Sequence, residues 1–430
     1  MKQIIFLIAL LSTLSVFAYS ISKILKNFKL TRKAYPVKEI GKRIKLTITN
    51  AFFQEKIFRN RIAGIMHALV FWGFCVILLG SVEMVIDGLF GTERILAIAG
   101  IFYNILIGIG DVFAYIIGLF IIIFIIRRSL LDIKRLHGKE LSKKNHQDAF
   151  LALTFILVLM ITLAGLNIFY ISLNPNNFVG SYPISEIIAP YFSGLSYNTK
   201  HLLHEINWWG HILLIFVFAN VLPYSKHFHI FMSIPNVFFS RLSPLGKLAN
   251  MDNITKEVKI MLYPELTNQM NETDVNQEVT RFGILDAEDV TWKNYMDSLT
   301  CTQCGRCSSV CPANITGKEL SPRKLFIDLR KRMTEKSKGI HKEGRQYSDN
   351  KSLIRDYIKE EEIWACTTCN ACAKECPLNI DHPAFIIDMR RYLVMEEASA
   401  PAPLNTMFAN IENNGAPWQY SKEDRMKWAE

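Results

Sequence analysis

The sequence predicts a mainly α protein: a bundle of five transmembrane helices followed by a helical soluble domain. Three observations predict it. Five apolar stretches of the 430-residue chain are each long enough to cross a hydrocarbon layer, which takes about 20 residues of helix. Basic residues crowd into alternate connections between those stretches. Beyond about residue 240 the apolar runs stop, and later segments carry the apolar spacing of amphipathic helices.

The membrane helices are expected near 2–23, 63–86, 97–126, 149–173 and 206–226, within a membrane domain spanning 1–240. Residues 1–250 hold 25 Lys and Arg against 11 Asp and Glu, whereas 251–430 hold 24 against 28. The basic excess therefore belongs to the apolar half, which points to a membrane surface and not to nucleic acid. Residues 23–61 hold twelve Lys and Arg and 127–147 hold seven, while 87–96 and 174–205 hold only Arg94 and Lys200. By the positive-inside rule this is a multi-pass protein of the inner (cytoplasmic) membrane, with its N-terminus outside and everything after the fifth helix in the cytoplasm. Read as a cleaved signal peptide, the first segment would offer only Ala18-Tyr19-Ser20 for cleavage and would leave 23–61 on the wrong side. An uncleaved anchor is expected instead.

The soluble half carries the most specific motif. Cys301, Cys304, Cys307 and Cys311-Pro312, then Cys366, Cys369, Cys372 and Cys376-Pro377, each read C-x-x-C-x-x-C-x-x-x-C-P. That run holds cubane iron-sulfur clusters in bacterial two-cluster ferredoxins, where the fourth cysteine ligates the other cluster. Two [4Fe-4S] clusters are therefore expected, one on Cys301, Cys304, Cys307 and Cys376, the other on Cys366, Cys369, Cys372 and Cys311. Two structural zinc sites are the alternative, although these usually come as separated cysteine pairs. A reducing compartment disfavours disulfides. Cys75, alone in the second helix, reads as a small packing residue.

Histidines cluster on the fifth helix (His201, His204, His211, His227, His229), with His67 alone on the second. Ligating residues in membrane helices default to function, and imidazoles on facing helices can hold haem iron from both sides. At 100° per residue, His211 and His229 share a face about 27 Å apart if the helix runs unbroken. His67 and His229 fall at similar depth near the basic end, which makes them the expected pair for a b haem. For Asp111 two readings stay open: a proton or quinone contact, or a carboxylate reaching an aqueous edge.

The stretch from His211 through Leu222-Pro223-Tyr224-Ser225-Lys226-His227-Phe228-His229 to Ser233-Ile234-Pro235 resembles the last membrane helix of the respiratory nitrate reductase gamma subunit. That family has five helices and two b haems, which implies His211 and His229 as helix-five ligands and His67 as the first on helix two. Ile77 stands where the second helix-two histidine belongs. One haem is implied and a second left open; His211 is an orphaned ligand, pairs with another histidine, or serves a quinone site with His204, for which Asp111 is a further candidate.

Cys301-Thr-Gln-Cys-Gly-Arg-Cys through Cys311-Pro-Ala and Gly317-Lys-Glu-Leu-Ser-Pro322, with Trp364-Ala-Cys-Thr-Thr-Cys-Asn-Ala-Cys, resembles the iron-sulfur subunit of heterodisulfide reductase. It is more similar to membrane iron-sulfur oxidoreductases that join such a module to a nitrate-reductase-gamma-like domain. The resemblance implies a helical ferredoxin module, a (mena)quinone, electron transfer flavoprotein as a partner, and a cysteine-rich CCG domain. No CCG motif occurs in this chain, so a separate CCG subunit is expected. Residues 241–290 are expected as a linker or strap, 291–396 as the cluster domain and 397–430, with Trp418, Tyr420 and Trp428, as a docking tail. Between the cysteine runs, 320–330 and 351–359 read as helices and 331–350 as a solvated excursion.

The expected function is one subunit of a quinone-linked oxidoreductase, relaying electrons between a soluble partner and the quinone pool. No G-x-G-x-x-G fingerprint follows a strand, so flavin or nicotinamide chemistry would lie in a partner. The alternatives are a heterodisulfide- or sulfur-linked quinol oxidoreductase subunit and, in another class, a non-catalytic cluster-bearing membrane sensor or anchor.

Overall fold

The structure, a computed structural model, describes residues 1–138, 140–265 and 281–430. Five of its helices are long and apolar enough to cross a membrane: α1 (Lys2–Phe28), α3 (Arg61–Phe90), α4 (Ile101–Ser129), α5 (Lys143–Leu173) and α7 (Tyr197–Val221). Between them lie α2 (Ile40–Thr47) and α6 (Ser185–Ile188), and beyond them α8 (His229–Phe238) and α9 (Asp252–Leu262). The soluble half comprises α10 (Trp292–Thr300), α11 (Arg306–Ser309), α12 (Pro322–Glu343), α13 (Ala371–Glu375), α14 (His382–Met395) and α15 (Ala402–Asn414), with shorter turns between. Among the described residues there is no sheet, only two isolated bridges.

Four of the apolar helices pack in sequence order, α3 on α4, α4 on α5 and α5 on α7; α1 closes the bundle against α7 and α3. α1 is a packed member of it. Phe6 is fully buried among Trp208, Trp209 and Phe216, with ring centroids 5.8, 6.4 and 5.8 Å away. Gly88 makes the room: a Cβ there would come within 2.5 Å of the Phe6 ring. Asn60 and Ser142 cap α3 and α5, accepting from the backbone N–H groups of Ala63 and Asn145.

The fifth span departs from the expectation. α7 starts nine residues before 206 and ends at Val221, where Pro223 sits in a 3₁₀ turn and Ser225 is extended before a second turn leads into α8. Proline cannot continue the hydrogen-bond ladder, so His211 and His229 do not lie on one continuous helix and the shared-face argument fails. His229 opens α8 instead of ending the fifth span, and it lies within electrostatic reach of His67.

Two further readings are corrected. Residues 351–359 form no regular helix, since Ile354 is extended and Arg355 has φ 81°. Residues 331–343 continue α12 instead of forming a solvated excursion. Arg332 is completely buried, donating to Asp286 at 2.7 Å and to Asp349 at 2.6 and 2.8 Å, while Lys336 reaches Asp286 at 2.6 Å and Glu288 at 2.5 Å. The charges are buried because each carries its counter-ion with it. Of the expected linker, α9 is helical, residues 281–290 supply Asp286 and Glu288 to the cluster domain, and residues 266–280 lie outside the described residues. In the tail, α15 buries no side chain, and Trp418, Tyr420 and Trp428 are exposed.

The two halves share one core. Phe228, just after the fifth span, joins Leu299, Leu325, Phe326, Leu329, Phe385 and Met389 of the soluble half. Polar ties reinforce it at the basic end of the bundle: Arg32 exchanges backbone hydrogen bonds with Val290 and Trp292, and Asn236 of α8 donates to Asp297 at 3.0 Å.

Candidate functional site

The two cysteine runs fold alike. In each, the first two cysteines lie on a loop and the third lies on a short helix, α11 for Cys307 and α13 for Cys372. Positive φ recurs at matching places: Gln303 (58°) and Gly305 (74°) in the first run, Thr368 (54°) and Asn370 (61°) in the second. Such turns point successive N–H groups into one concavity that suits anions. Accordingly, the N–H of Gln303 donates to the Cys301 sulfur and that of Thr368 to the Cys366 sulfur at 3.3 Å. Glycine is required at 305 for a second reason. A Cβ there would stand 2.4 Å from the Arg135 carbonyl.

The sulfurs fall into two neighbourhoods. Cys301, Cys304 and Cys376 act electrostatically on Cys307, and Cys366, Cys311 and Cys369 on Cys372, while Cys372 is also felt at Cys307. Burial pushes the Cys301 thiol up to about 11 and Cys376 to about 12, and raises Cys307, Cys366 and Cys372 as well. Buried neutral thiols in that number need a cationic centre to ionise, which inverts the local pKa logic. Tetrahedral zinc would draw its sulfurs onto one ion at about 2.3 Å. Among the described residues, no group of three or more His, Cys, Asp or Glu is set to hold a single ion. The residues present fit a larger multi-metal group.

An arginine holds each loop. Arg323 of α12 donates to Gln303 O at 3.2 Å, Arg135 O at 2.7 Å and Glu140 at 2.7 Å; Arg390 of α14 donates to Cys366 O at 2.6 Å. Neither was found from sequence. The signal was faint, since α12 carries three arginines and α14 two, and nothing in their spacing singles out Arg323 or Arg390.

Residues 300–380 match the model of the 4Fe-4S dicluster domain. The chain carries an iron-sulfur dicluster domain. Over 99% of its length it is 30% identical to the "Probable iron-sulfur-binding oxidoreductase FadF" of Bacillus subtilis, covering 60% of that protein. Over 98% it is 28% identical to the EtfAB:quinone oxidoreductase of Syntrophomonas wolfei, covering 58%. A quarter of the chain is 30% identical to one subunit of the ferredoxin/F(420)H(2)-dependent CoB-CoM heterodisulfide reductase of Methanosarcina acetivorans, covering 52% of it. The chain thus spans about three fifths of the two full-length relatives. No solved structure matches it. It is an iron-sulfur electron-transfer protein related to these oxidoreductases.

The membrane histidines separate into two places. His67 lies within electrostatic reach of His229 and of Arg306, which stands between Cys304 and Cys307 in the dicluster domain. Each ring has its Nδ1 engaged, His67 with Gln54 Oε1 at 3.0 Å and His229 with Lys226 O at 3.2 Å. Neither Nε2 has a partner among the described residues. An imidazole that gives its other N–H to a carbonyl is oriented as metal-ligating histidines are. Gln54, missed from sequence, is buried with φ 54°. Two residues on, Lys56 donates to Cys376 O at 3.2 Å.

At the other end of the bundle, His211 is buried with Nδ1 engaged by Leu159 O at 3.1 Å and by Thr162 Oγ1 at 3.0 Å. It lines a cavity of about 60 Å³ with Ile77, Glu83, Arg94, Asp111 and Asn167. That volume has room for about four waters. Asp111 accepts from Asn167 Nδ2 at 3.1 Å and from the backbone of Ile184 and Ser185 at 2.9 and 3.0 Å, so it anchors the start of α6 as well as facing the cavity. His204 is not among the lining residues; its Nδ1 faces Glu205 at 3.8 Å. The structure thus brings His211 and Asp111 together and leaves His204 apart. Arg94, which lies over Tyr170 at 4.0 Å, was not foreseen there.

Proposed function

We propose that this protein is the membrane electron-transfer subunit of a quinone-linked oxidoreductase, with its dicluster domain on the cytoplasmic side of the inner membrane. Cys301, Cys304, Cys307 and Cys376 hold one cubane, and Cys366, Cys369, Cys372 and Cys311 the other. His67 and His229 hold one b haem. When bound, these groups supply one-electron redox chemistry. The chain's own part is positional: Gln54 and Lys226 O fix the imidazoles, Lys56 ties the Cys376 loop to the bundle, and Arg323 and Arg390 hold the cluster loops. The observation that carries the reading is that His67 lies within electrostatic reach of His229, each ring with its Nδ1 engaged and its Nε2 without a partner among the described residues, beside the loop bearing Cys376.

Ile77 and the small volume beside His211 argue against a second haem there. His211 and Asp111, with Glu83 and Arg94, supply a polar lining suited to a quinone headgroup or to the protons it exchanges. The printed name of the S. wolfei relative, an EtfAB:quinone oxidoreductase, supports a soluble donor of the electron-transfer-flavoprotein kind and a quinone as the membrane carrier; a CCG-type domain or subunit and menaquinone are what the family resemblance implies. The exposed Trp418, Tyr420 and Trp428 suit that docking, since interfaces favour aromatics.

Reduced-minus-oxidised visible spectra of the purified protein test the reading. A b-type signal that responds to a quinol analogue is expected, lost in His67→Ala and His229→Ala. Full haem in both variants refutes the pair. The similarity to a heterodisulfide reductase favours a second reading, in which quinol electrons run outward to a thiol-disulfide partner; reduction of the clusters by a quinol analogue faster than by reduced flavoprotein would select it.

A further inference from the structure

We propose that a basic pocket at the seam between the membrane bundle and the dicluster domain binds the phosphate headgroup of an anionic phospholipid. The pocket, about 560 Å³, opens between the start of α3, the loop after α4 and helices α11 and α13; Arg59, Arg61, Arg135, Arg306, Ile62 and Glu375 line it. Four guanidiniums there meet the single carboxylate of Glu375.

The local bonds leave that excess standing. Arg59 donates to Lys374 O at 2.7 Å and to Glu375 at 3.1 Å, and Arg306 to Lys56 O at 2.9 Å and Ile57 O at 3.1 Å while reaching Glu375 only at 4.0 Å. Arg135 donates to Cys304 O at 2.9 Å. Arg61 has no hydrogen bond or ion pair among the described residues. Most of these bonds go to neutral carbonyls, which orient a guanidinium without discharging it. An anion placed between these groups relieves their repulsion, and a phosphate can accept paired N–H bonds from guanidinium.

Position selects a lipid over a free anion. Arg61 begins an apolar span, and the next residue, Ile62, lines the pocket while 77% exposed. Ile65, one turn along, is 50% exposed. A headgroup seated on the arginines therefore has an apolar track for its acyl chain running from the pocket down α3, as basic pockets between transmembrane helices offer to lipid headgroups. The bound charge would lie against the backbone that carries Cys304 and Cys307, because Arg306 stands between them and Arg135 holds the Cys304 carbonyl. Occupancy lowers the reduction potential of the adjacent cluster. None of this depends on the haem or quinone assignments.

The test uses the full chain in lipid nanodiscs, with phosphatidylglycerol or phosphatidylcholine as probe and native mass spectrometry to count retained lipid. Each arginine near an anionic surface is worth about 1 kcal/mol, or about fivefold in affinity. R59Q/R61Q should therefore weaken phosphatidylglycerol retention about 25-fold, leave phosphatidylcholine retention unchanged, and keep the haem absorbance and iron content. R61Q alone breaks no bond in the fold and should weaken retention about fivefold, so the test survives if the double variant fails to assemble. R59K/R61K, which keeps the charge but not the paired N–H donors, should weaken retention less than R59Q/R61Q does. Unchanged phosphatidylglycerol retention in R61Q and R59Q/R61Q overturns the proposal. Equal displacement by inorganic phosphate makes this a free-anion site and overturns the lipid. Loss of haem absorbance in R59Q/R61Q with intact clusters would give the pocket to the haem carboxylates instead.

Discussion

At Gly305 the chain accepts a left-handed turn and lets the Arg135 carbonyl approach to where a side chain would stand. Gly305→Val should therefore open the first cysteine loop, and iron and acid-labile sulfide should fall from about eight each per chain toward four, with bundle helicity unchanged in circular dichroism. Asn370→Val, at the matching place in the second run, should cost the left-handed strain of about 1–2 kcal/mol together with the hydrogen bond that Asn370 Nδ2 donates to Thr368 O. Arg332 is a different kind of residue. Its removal leaves Asp286 with Lys336 alone and takes the arginine away from Asp349, and breaking a buried pair costs about 3–5 kcal/mol, so Arg332→Ala should lower the thermal midpoint of the cluster domain by several degrees. Asp349 gives the pH signature: its hydrogen bonds to Arg332 hold it down at about 2 against an ordinary 3.8. A depressed carboxylate stabilises fully above its unfolded value and loses that contribution as pH falls through its folded one. Acid unfolding should therefore steepen between about pH 4 and 2, and the Arg332→Ala protein should lack that part of the curve.

Helices of high apolar content were legible in the sequence because length and alternation of basic loops do not depend on tertiary contacts. All five spans were anticipated, although α7 broke the pattern: Pro223 ends it before His229, which a periodicity count across residues 211–229 cannot register. The buried half of α12 was illegible for a related reason. Lys331 to Glu343 read as solvated because its counter-ions, Asp286, Glu288 and Asp349, lie elsewhere in the chain. The cysteine runs declared themselves through spacing alone, while Gln54, Arg94 and Arg323 act through contacts with distant segments. Between elements, α1 tests most directly. Gly88→Val should drive Phe6 out of its notch and destabilise the detergent-solubilised chain, and adding Phe6→Ala should recover part of the loss. Additive damage in the double variant would mean that the two do not share one packing site.

For the molecule as a whole, the dicluster domain and the bundle fold onto one another through Phe228, Arg32, Asn236 and the loop before α3. On the proposed haem assignment, Lys56→Met should sever the tie to Cys376 and slow electron passage between clusters and haem in stopped-flow reduction, with the content of both unchanged; an unaltered rate would mean that the loop carries no part in the relay. Gln54 and Lys56 are separated by a single residue, yet one grips His67 in the bundle and the other grips the carbonyl of Cys376. Three consecutive residues thus act as a spacer of fixed length between a membrane imidazole and a cysteine of the soluble half. Rocking of the outer parts of the dicluster domain as partners come and go would leave that gap unaltered, and tunnelling falls steeply with distance, so the gap is the quantity that the chain has most reason to hold constant.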